Sequence, residues 1–444
     1  MSVYGGPSAE VLVRRIVESS IGAVTPSTLF EKSFRISRGS LNAFGIPADM
    51  NLHKIVRCVA IGKSAEAMAF EVRKVLGSCV SGIIATPVNR HLDVDGFEFM
   101  KTGHPFPDER SLKAGEAVER VVAEAGEKDL LLFLISGGGT ASIFVPVEGV
   151  TLEESNRLLK FMLDGGVPID RINLVRRHLS RYGGGKLSQL ALNRKKISFV
   201  ISDVVGDDLS AIAGGPTVKD DSSPAEALEF LEKSGLLARS PGSIKTALLR
   251  QQSVHSETQF DYGLFKVIAS NRAALSAAEK SGIENGFNTT VMTRYWESDP
   301  MEAAKLLVSV ARSIELDDAP TTRPALVLAG GETTVRLTGN GIGGRNQHLV
   351  LSALYELAEL HLKGIPLERT TIFSFGTDGK DGSSEAAGAF ASLATFAKVN
   401  GGLQELEDYI RRCDSNNFFA KYGGLINTGP TDTNVMDVFG IIVV

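Results

Sequence analysis

The sequence predicts an α/β protein built from two Rossmann-like domains, with mostly parallel sheets and the active site in the cleft between the domains. Three observations carry this prediction. Short apolar runs that read as buried strands alternate with longer segments of helical periodicity along most of the chain. Several of these strands run directly into glycine clusters, which account for many of the 46 glycines. The chain of 444 residues is 43% hydrophobic and 22% charged, ordinary for a globular protein of two large α/β domains.

Taken in order, residues 8–36 show helical spacing of Val11, Leu12, Ile16 and Val17 and predict an amphipathic helix. The run Ile55–Ile61 predicts a strand, Gly62 a turn and Ser64–Leu76 a helix, which puts Lys63 at the ligand edge of an open sheet. Lys63 is not a P-loop lysine: that motif requires glycine where Arg57 stands. A solvated turn lysine is the competing reading. Strands follow at Ser81–Thr86 and Phe97–Lys101. His104, in the segment TGHPFPDE, reads as part of a rigid turn into a helix near Asp108. The strand Leu130–Ile135 ends in Ser136, Gly137, Gly138, Gly139 and Thr140, whose N–H groups can form a concave nest for a carboxylate or phosphate.

Helices are expected over 151–164 and 168–181, the second carrying Asn173, Arg176 and Arg177. A third begins at Lys186, which also fails the P-loop pattern because Ser180 replaces the glycine. The strand Lys196–Ile201 opens onto SDVVGDD, whose Asp203 and Asp207 are candidates for holding Mg²⁺ or serving as a general base, with turn chemistry as the alternative. The polar stretch 236–262 reads as the domain boundary. We therefore expect a larger N-terminal domain over 1–250 and a smaller C-terminal one over 251–444, leaving open the boundary and any exchange of chain between them.

Beyond it the alternation resumes with strand Phe265–Ala269, helix Arg272–Gly282, strand Thr289–Thr293 and helix Pro300–Ile314. Strand Ala325–Ala329 delivers Glu332, and a short strand is expected at Thr333–Leu337. The glycine loop 338–344 then opens onto a helix beginning Arg345, Asn346, Gln347. A glycine loop, a helix N-terminus and an arginine predict an anion site built on Gly341, Gly343, Gly344 and Arg345. The same glycines satisfy G-x-G-x-x-G at 339, 341 and 344, but the next strand ends at Asp378, too far on for the ribose-binding acid of a dinucleotide site. On the helical wheel Leu349, Val350, Ala353, Leu354, Leu357 and Leu360 form a buried face, Asn346 lies near its middle, and Arg345 sits at its edge, free to reach a ligand. A strand at Thr371–Phe375, a helix from Ser384 and a last strand at Val438–Val444 complete the pattern.

A net charge of -5 argues against nucleic acid and anionic membranes as partners. Cys58, Cys79 and Cys413 are too scattered for a disulfide framework or zinc site. No apolar run is long enough to span a bilayer, and no signal peptide is evident, so the cytoplasm is the expected location. Cations, N–H nests and carboxylates at strand ends, without a Cys–His or Ser–His pair, fit phosphoryl transfer.

The motifs IGKSAEAMA, TGHPFPDERS, LISGGGTAS, INLVRRHLSRYGGGKL, SDVVGDDLSAIAGGPT, LAGGETTVRLTGNGIGGRNQHLVL, GTDGKDG and TGPTDTNVMD occur in one order over nearly the whole chain. They resemble the glycerate 2-kinase (MOFRL) family, ATP-dependent kinases distinct from P-loop kinases; Tyr182 stands where many relatives have lysine. The resemblance implies transfer of phosphate from ATP, with Mg²⁺, to the 2-hydroxyl of D-glycerate. It implies active-site roles for Lys63, either Asp203 or Asp207, Glu332, Arg345, Asp378 and Asn434, with Asp378 a further metal or base candidate. It implies no oligomeric state. Some relatives of that family carry the name hydroxypyruvate reductase, so NAD(P)H-dependent reduction of hydroxypyruvate is the alternative expectation.

Overall fold

A computed structural model describes the chain except residues 1–7, 52, 54, 90–91, 192–193, 253–260 and 335–338. It divides into two compact units, one of Pro26–Ile268 and one of Met1–Thr25 with Ala269–Val444. The break falls after Ile268, not after residue 250, and the N-terminal segment belongs with the C-terminal unit. The reason lies in packing. The polar stretch 236–262 contains a helix, Gly242–Gln252, whose Ile244, Ala247 and Leu248 join the same apolar cluster as Leu158, Val175 and Leu231. Its polar residues are the solvent face of that helix. Within the unit of Met1–Thr25 and Ala269–Val444, the helix Ala9–Gly22 lies against Asn271–Glu284, and Thr433 Oγ1 donates to the Val24 carbonyl at 2.8 Å.

The Pro26–Ile268 unit begins with a small antiparallel sheet of β1 (Phe34–Ser37), β2 (Ser40–Ala43) and β3 (Ile46–Asp49). These four-residue strands sit where the sequence suggested helix or loop; they are too short to show a two-residue alternation. The main sheet comprises β4 (Val56–Ile61), β5 (Val80–Thr86), β6 (Phe97–Lys101), β7 (Leu130–Ile135), β8 (Lys196–Ile201) and β9 (Leu264–Ala269), in the order β6-β5-β4-β7-β8-β9. Pairings from β6 through β8 are parallel. Numbered from β4 this is the 3-2-1-4-5-6 order of a doubly wound fold, whose topological switch lies between β4 and β7. Both strands are buried almost throughout, as unbroken apolar runs such as LLLFLI require. Val59, Ile61, Phe133 and Ile135 pack with Ala114, Val118 and Val122 of the helix Glu109–Ala123. Burial of side chains this large stabilises by roughly 1.5–3 kcal/mol each, which fixes the strand ends that carry the loops.

The second unit holds β10 (Asn288–Trp296), β11 (Ala325–Gly331), β12 (Thr370–Gly376), β13 (Gly388–Ser392), β14 (Leu425–Ile426) and β15 (Asp437–Val443), in the order β10-β11-β15-β12-β13-β14. Only β10–β11 is a parallel pair; the other four are antiparallel. This corrects the expectation of a mostly parallel sheet here, although the unit remains α/β. Strand β11, the helix Arg345–Leu362 and β12 alternate as the sequence implied, but the C-terminal β15 returns from far along the chain and inserts antiparallel between them. Sequence alternation cannot register such an insertion.

The helix expected from Ser384 is absent. Gly388–Ser392 is instead a strand, because pairing with β12 outweighs the helical preference of its alanines. An added Cβ at Gly388 would lie 1.9 Å from the Ser374 carbonyl oxygen. Of the strand expected at Thr333–Leu337, Thr333 and Thr334 are irregular and the rest lies outside the described residues.

Candidate active site

At the switch point of the parallel sheet, the loops after β4 and β7 are joined by the Lys63 N–H donating to the Gly137 carbonyl at 2.9 Å. The Ser64 N–H donates to Ser136 Oγ at 3.0 Å, and Ser136 Oγ donates to the Ile61 carbonyl at 3.1 Å. Gly62 makes the turn at φ +99, with Ser136 too close for any side chain. Lys63 is thereby held beside the glycine nest. Among the described residues, the Gly137 and Gly138 N–H groups have no protein acceptor, so they are available to an anion. Gly139 and Thr140 instead pack against Ala213 and Gly214.

Asp203 follows β8 and lies against the nest: a Cβ at Gly137 would fall 1.6 Å from its Oδ2. Asp207, in the turn Val205–Asp207, adopts φ +61 and donates its N–H to the Val204 carbonyl. His104 packs over Gly138, its Nε2 3.5 Å from where a Cβ would be. Burial, with the charges of Lys63 and Arg176, brings its basicity down to about 4, so the imidazole is neutral near pH 7. Lys186 is not part of this cluster; its ammonium donates to the Arg177 and Ser180 carbonyls at 2.9 and 2.8 Å.

The second unit assembles its own cluster where β11 and β12 end and β15 begins. Gly331 and Gly376 both pair with Asp437 in register. Arg345 Nη1 donates to Glu332 Oε1 at 2.5 Å, while Nε and Nη2 bond both oxygens of Asp437 at 2.5 and 3.1 Å. Burial alone would favour loss of the guanidinium proton, but the Asp437 and Glu332 carboxylates outweigh it and push the pKa well up. Arg345 is therefore a clamped cation, not the freely reaching one expected. Asn346 is the buried anchor its helical position suggested: Nδ2 donates to Asp437 and Asp381, and Oδ1 accepts from Ser374.

The helix N-terminus is already filled. Asp381 accepts the Asn346 and Gln347 N–H groups at 3.0 and 2.8 Å, occupying the position predicted for an external anion. The preceding loop is committed as well. The Gly341, Ile342 and Gly343 N–H groups go to the Arg412 carbonyl, Asp414 Oδ1 and Ser383 Oγ. A Cβ on Gly341 or Gly344 would come within 2.5 Å of Asp414 or Asp381. At Gly341, Gly343 and Gly344, expected to bind phosphate, protein packs where a side chain would stand, which by itself requires glycine.

Asp378 accepts the Lys380 N–H at 3.2 Å; a Cβ on Gly376 would lie 3.2 Å from Asp378 Oδ1 and 3.5 Å from Asp437 Oδ1. Asn434 Oδ1 accepts the Met436 N–H at 3.1 Å, in a segment that Thr377 Oγ1 fastens through the Met436 carbonyl and Val435 N–H. Asn271 Nδ2 adds bonds to the Val435 and Asp437 carbonyls at 3.0 and 2.9 Å. Among the described residues no three His, Cys, Asp or Glu side chains form a metal site by themselves.

A model described as "Domain of unknown function (DUF4147)" matches residues 12–249, and the MOFRL family model matches 325–437. The D-glycerate 2-kinase of Thermotoga maritima is 35% identical over 444 residues, covering 99% of this chain and 100% of that protein. The chain belongs to the glycerate 2-kinase family. The crystal structure of glycerate kinase from Thermotoga maritima matches with a TM-score of 0.84 and 34% identity, over 98% of this chain and 100% of that one. A relative from Agrobacterium vitis, 32% identical over 87% of each chain, is provisionally named a hydroxypyruvate reductase.

For a member of the glycerate 2-kinase family, the residues that sequence reasoning missed are informative. Asp437 and Asp381 hold Arg345 and its helix, yet each looks like an ordinary turn or strand-end acid in the sequence. Asp437 could have been suspected from its place at the head of an otherwise apolar strand. His104 read as a turn residue, and Arg176 as part of a polar helical stripe; the fold brings both to the Lys63 cluster.

Proposed function

We propose that this chain transfers the γ-phosphoryl group of ATP to the 2-hydroxyl of D-glycerate, releasing ADP and 2-phospho-D-glycerate. The full-length likeness to D-glycerate 2-kinase carries this reading, and the Lys63 nest supports it. Lys63 and the Gly137 and Gly138 N–H groups supply fixed positive charge for the transferring phosphoryl, whose negative charge is spread over its oxygens. Asp203 is favoured over Asp207 as the carboxylate that orients the glycerate 2-hydroxyl and takes its proton, because Asp203 lies against Gly137.

Arg345 stabilises phosphate charge from a position fixed by Glu332 and Asp437. Asp203, Asp207 and Asp378 are each candidate ligands for Mg²⁺, which binds one or two carboxylates together with retained waters and phosphate oxygens. When bound, Mg²⁺ would neutralise charge on the β- and γ-phosphates. Asn434 is a polar positioning group beside Asp437. The substrate is a small molecule. The net charge of -5 suits neither nucleic acid nor anionic membrane as partner, and no described helix is long and apolar enough to cross a membrane. We assign the enzyme to the cytoplasm.

The name of the Agrobacterium vitis relative favours a second reading, hydride transfer to hydroxypyruvate. Its motif would be the loop 339–344, whose N–H groups at 341–343 are already bonded to protein acceptors. A coupled ADP-release assay with D-glycerate and Mg-ATP, run beside NADH and NADPH oxidation with hydroxypyruvate, separates the two. We expect glycerate-dependent ADP release and no hydroxypyruvate-dependent oxidation; the reverse would establish the reductase.

A further inference from the structure

Arg176 and Arg177 are neighbours on the helix Ile169–Leu179 with different surroundings. Arg177 is tied down by Asp220 at 3.2 Å and the Ser210 carbonyl at 3.2 Å. Arg176 forms no ion pair among the described residues, and its Nη2 is buried without a hydrogen-bond partner. Burial brings its basicity down to about 10, so it remains a cation. The residue as a whole is half-buried, and a guanidinium partly withdrawn from water without a counter-charge is costly unless something supplies the anion.

Two features indicate what does. Arg176 lines a small cavity together with Pro107, three residues after His104, and its charge and that of Lys63 both act on the His104 imidazole. His104 in turn lies over Gly138, whose N–H and that of Gly137 are open. Arg176 thus belongs to the glycine-nest cluster but is distinct from the lysine that serves the phosphoryl group. Behind it lies a cavity of about 10 Å³, lined by Ser155, Asn156 and Arg176 among apolar side chains. Ser155 Oγ and Asn156 Oδ1 are also buried without partners, while Asn156 Nδ2 donates to the Pro107 carbonyl at 2.8 Å. This is the least room that takes a water, with polar atoms to hold it; such a water would tie Nη2 to Asn156 and fix the guanidinium.

We propose that Arg176 binds the carboxylate of the acceptor substrate and so selects hydroxy acids over the corresponding neutral alcohols. The identity of that acid as D-glycerate rests on the kinase reading. A planar guanidinium suits bidentate recognition of a carboxylate, and neutral His104 keeps a third charge out of the cluster.

The test is calorimetric titration of the full-length protein, without nucleotide, using D-glycerate and its neutral analogue D-glyceramide. It is accompanied by steady-state kinetics on wild type, Arg176→Gln and Arg176→Lys. Wild type should bind D-glycerate about a hundredfold more tightly than D-glyceramide, the range for a buried charge pair. In Arg176→Gln that preference should shrink to a few-fold while KM for ATP stays within a few-fold of wild type. Arg176→Lys, which keeps the charge and loses the planar fork, should fall between them, and it serves as the readout if the glutamine variant does not fold. Equal wild-type affinity for the two compounds, an unchanged preference in the variants, or a rise in KM for ATP without loss of glycerate binding would overturn the proposal. If D-glycerate binds through Arg176 but no ADP is released, the kinase reading fails and this one stands.

Discussion

Arg345 combines a catalytic assignment with a structural debt. It is the counter-charge of Asp437, whose side chain is 2% exposed and also accepts from Asn346. Removing the guanidinium leaves a buried carboxylate short of its partner, which typically destabilises by about 3–5 kcal/mol. Arg345→Ala should therefore lower both kcat and the thermal midpoint. Adding Asp437→Asn should restore much of the midpoint and none of the activity. Recovery of both would make Arg345 a structural residue only. Lys63 differs, because among the described residues its side chain is in no ion pair and only its backbone N–H makes the bond that ties the loop to Gly137. Lys63→Ala should leave the thermal midpoint nearly unchanged while lowering kcat by roughly a hundredfold or more, the scale for losing a preorganised donor. A midpoint drop matching that of Arg345→Ala would contradict this. At this scale, legibility in the sequence depended on chemical type. Lys63 and Glu332 stand out beside glycines at apolar strand ends, whereas Asp437 and Asp381 acquire meaning only from groups 92 and 35 residues away, Arg345 and Asn346.

The helix Arg345–Leu362 and the loop before it are the elements whose meaning changed most. Leu349, Val350, Ala353, Leu354 and Leu357 are fully buried, as their spacing required, while Leu360, on the same face in the last turn, is only partly buried. The N-terminus is capped by Asp381, and periodicity carries no information about a cap supplied from after β12. Burial pushes the Asp381 carboxyl up to about 6, against the pull of the Gln347 and Asn346 N–H groups. In the unfolded chain that group titrates near pH 4, at about 3.9. Between the two values the native state holds more protons than the unfolded state, so this group's contribution to stability falls as pH rises from about 4 to about 6. The midpoint difference between wild type and Asp381→Asn should therefore shift against wild type over that window and stay flat above it. A difference independent of pH would show that Asp381 titrates normally. In the loop, Gly341→Ala places a Cβ 2.5 Å from Asp414. It should lower the thermal midpoint and leave KM for ATP within a few-fold. A large rise in that KM at an unchanged midpoint would return the loop to phosphate binding.

For the whole molecule, strands buried on both faces were the most readable feature. Leu130–Ile135 and Lys196–Ile201, buried throughout, were bounded correctly because each is a largely apolar run closed by turn residues; Phe97–Lys101 was bounded as well, although it is only partly buried. The order of strands was not readable where it depends on distant segments, as with β15 between β11 and β12 or the N-terminal helix against Asn271–Glu284. The doubly wound sheet nevertheless brings Lys63, the glycine nest and Asp203 to one edge at its topological switch, where ligands of such sheets bind. The family to which the chain belongs gives that edge its chemistry, and the choice of hydroxyl distinguishes the proposed enzyme from other kinases of the same acid. The most direct test is proton-coupled ³¹P NMR of the product formed from D-glycerate and Mg-ATP. Phosphorylation of the secondary 2-hydroxyl predicts a phosphomonoester doublet, split by the single proton on C2. A triplet, from the two protons on C3, or no glycerate-dependent phosphomonoester at all, would contradict the assignment.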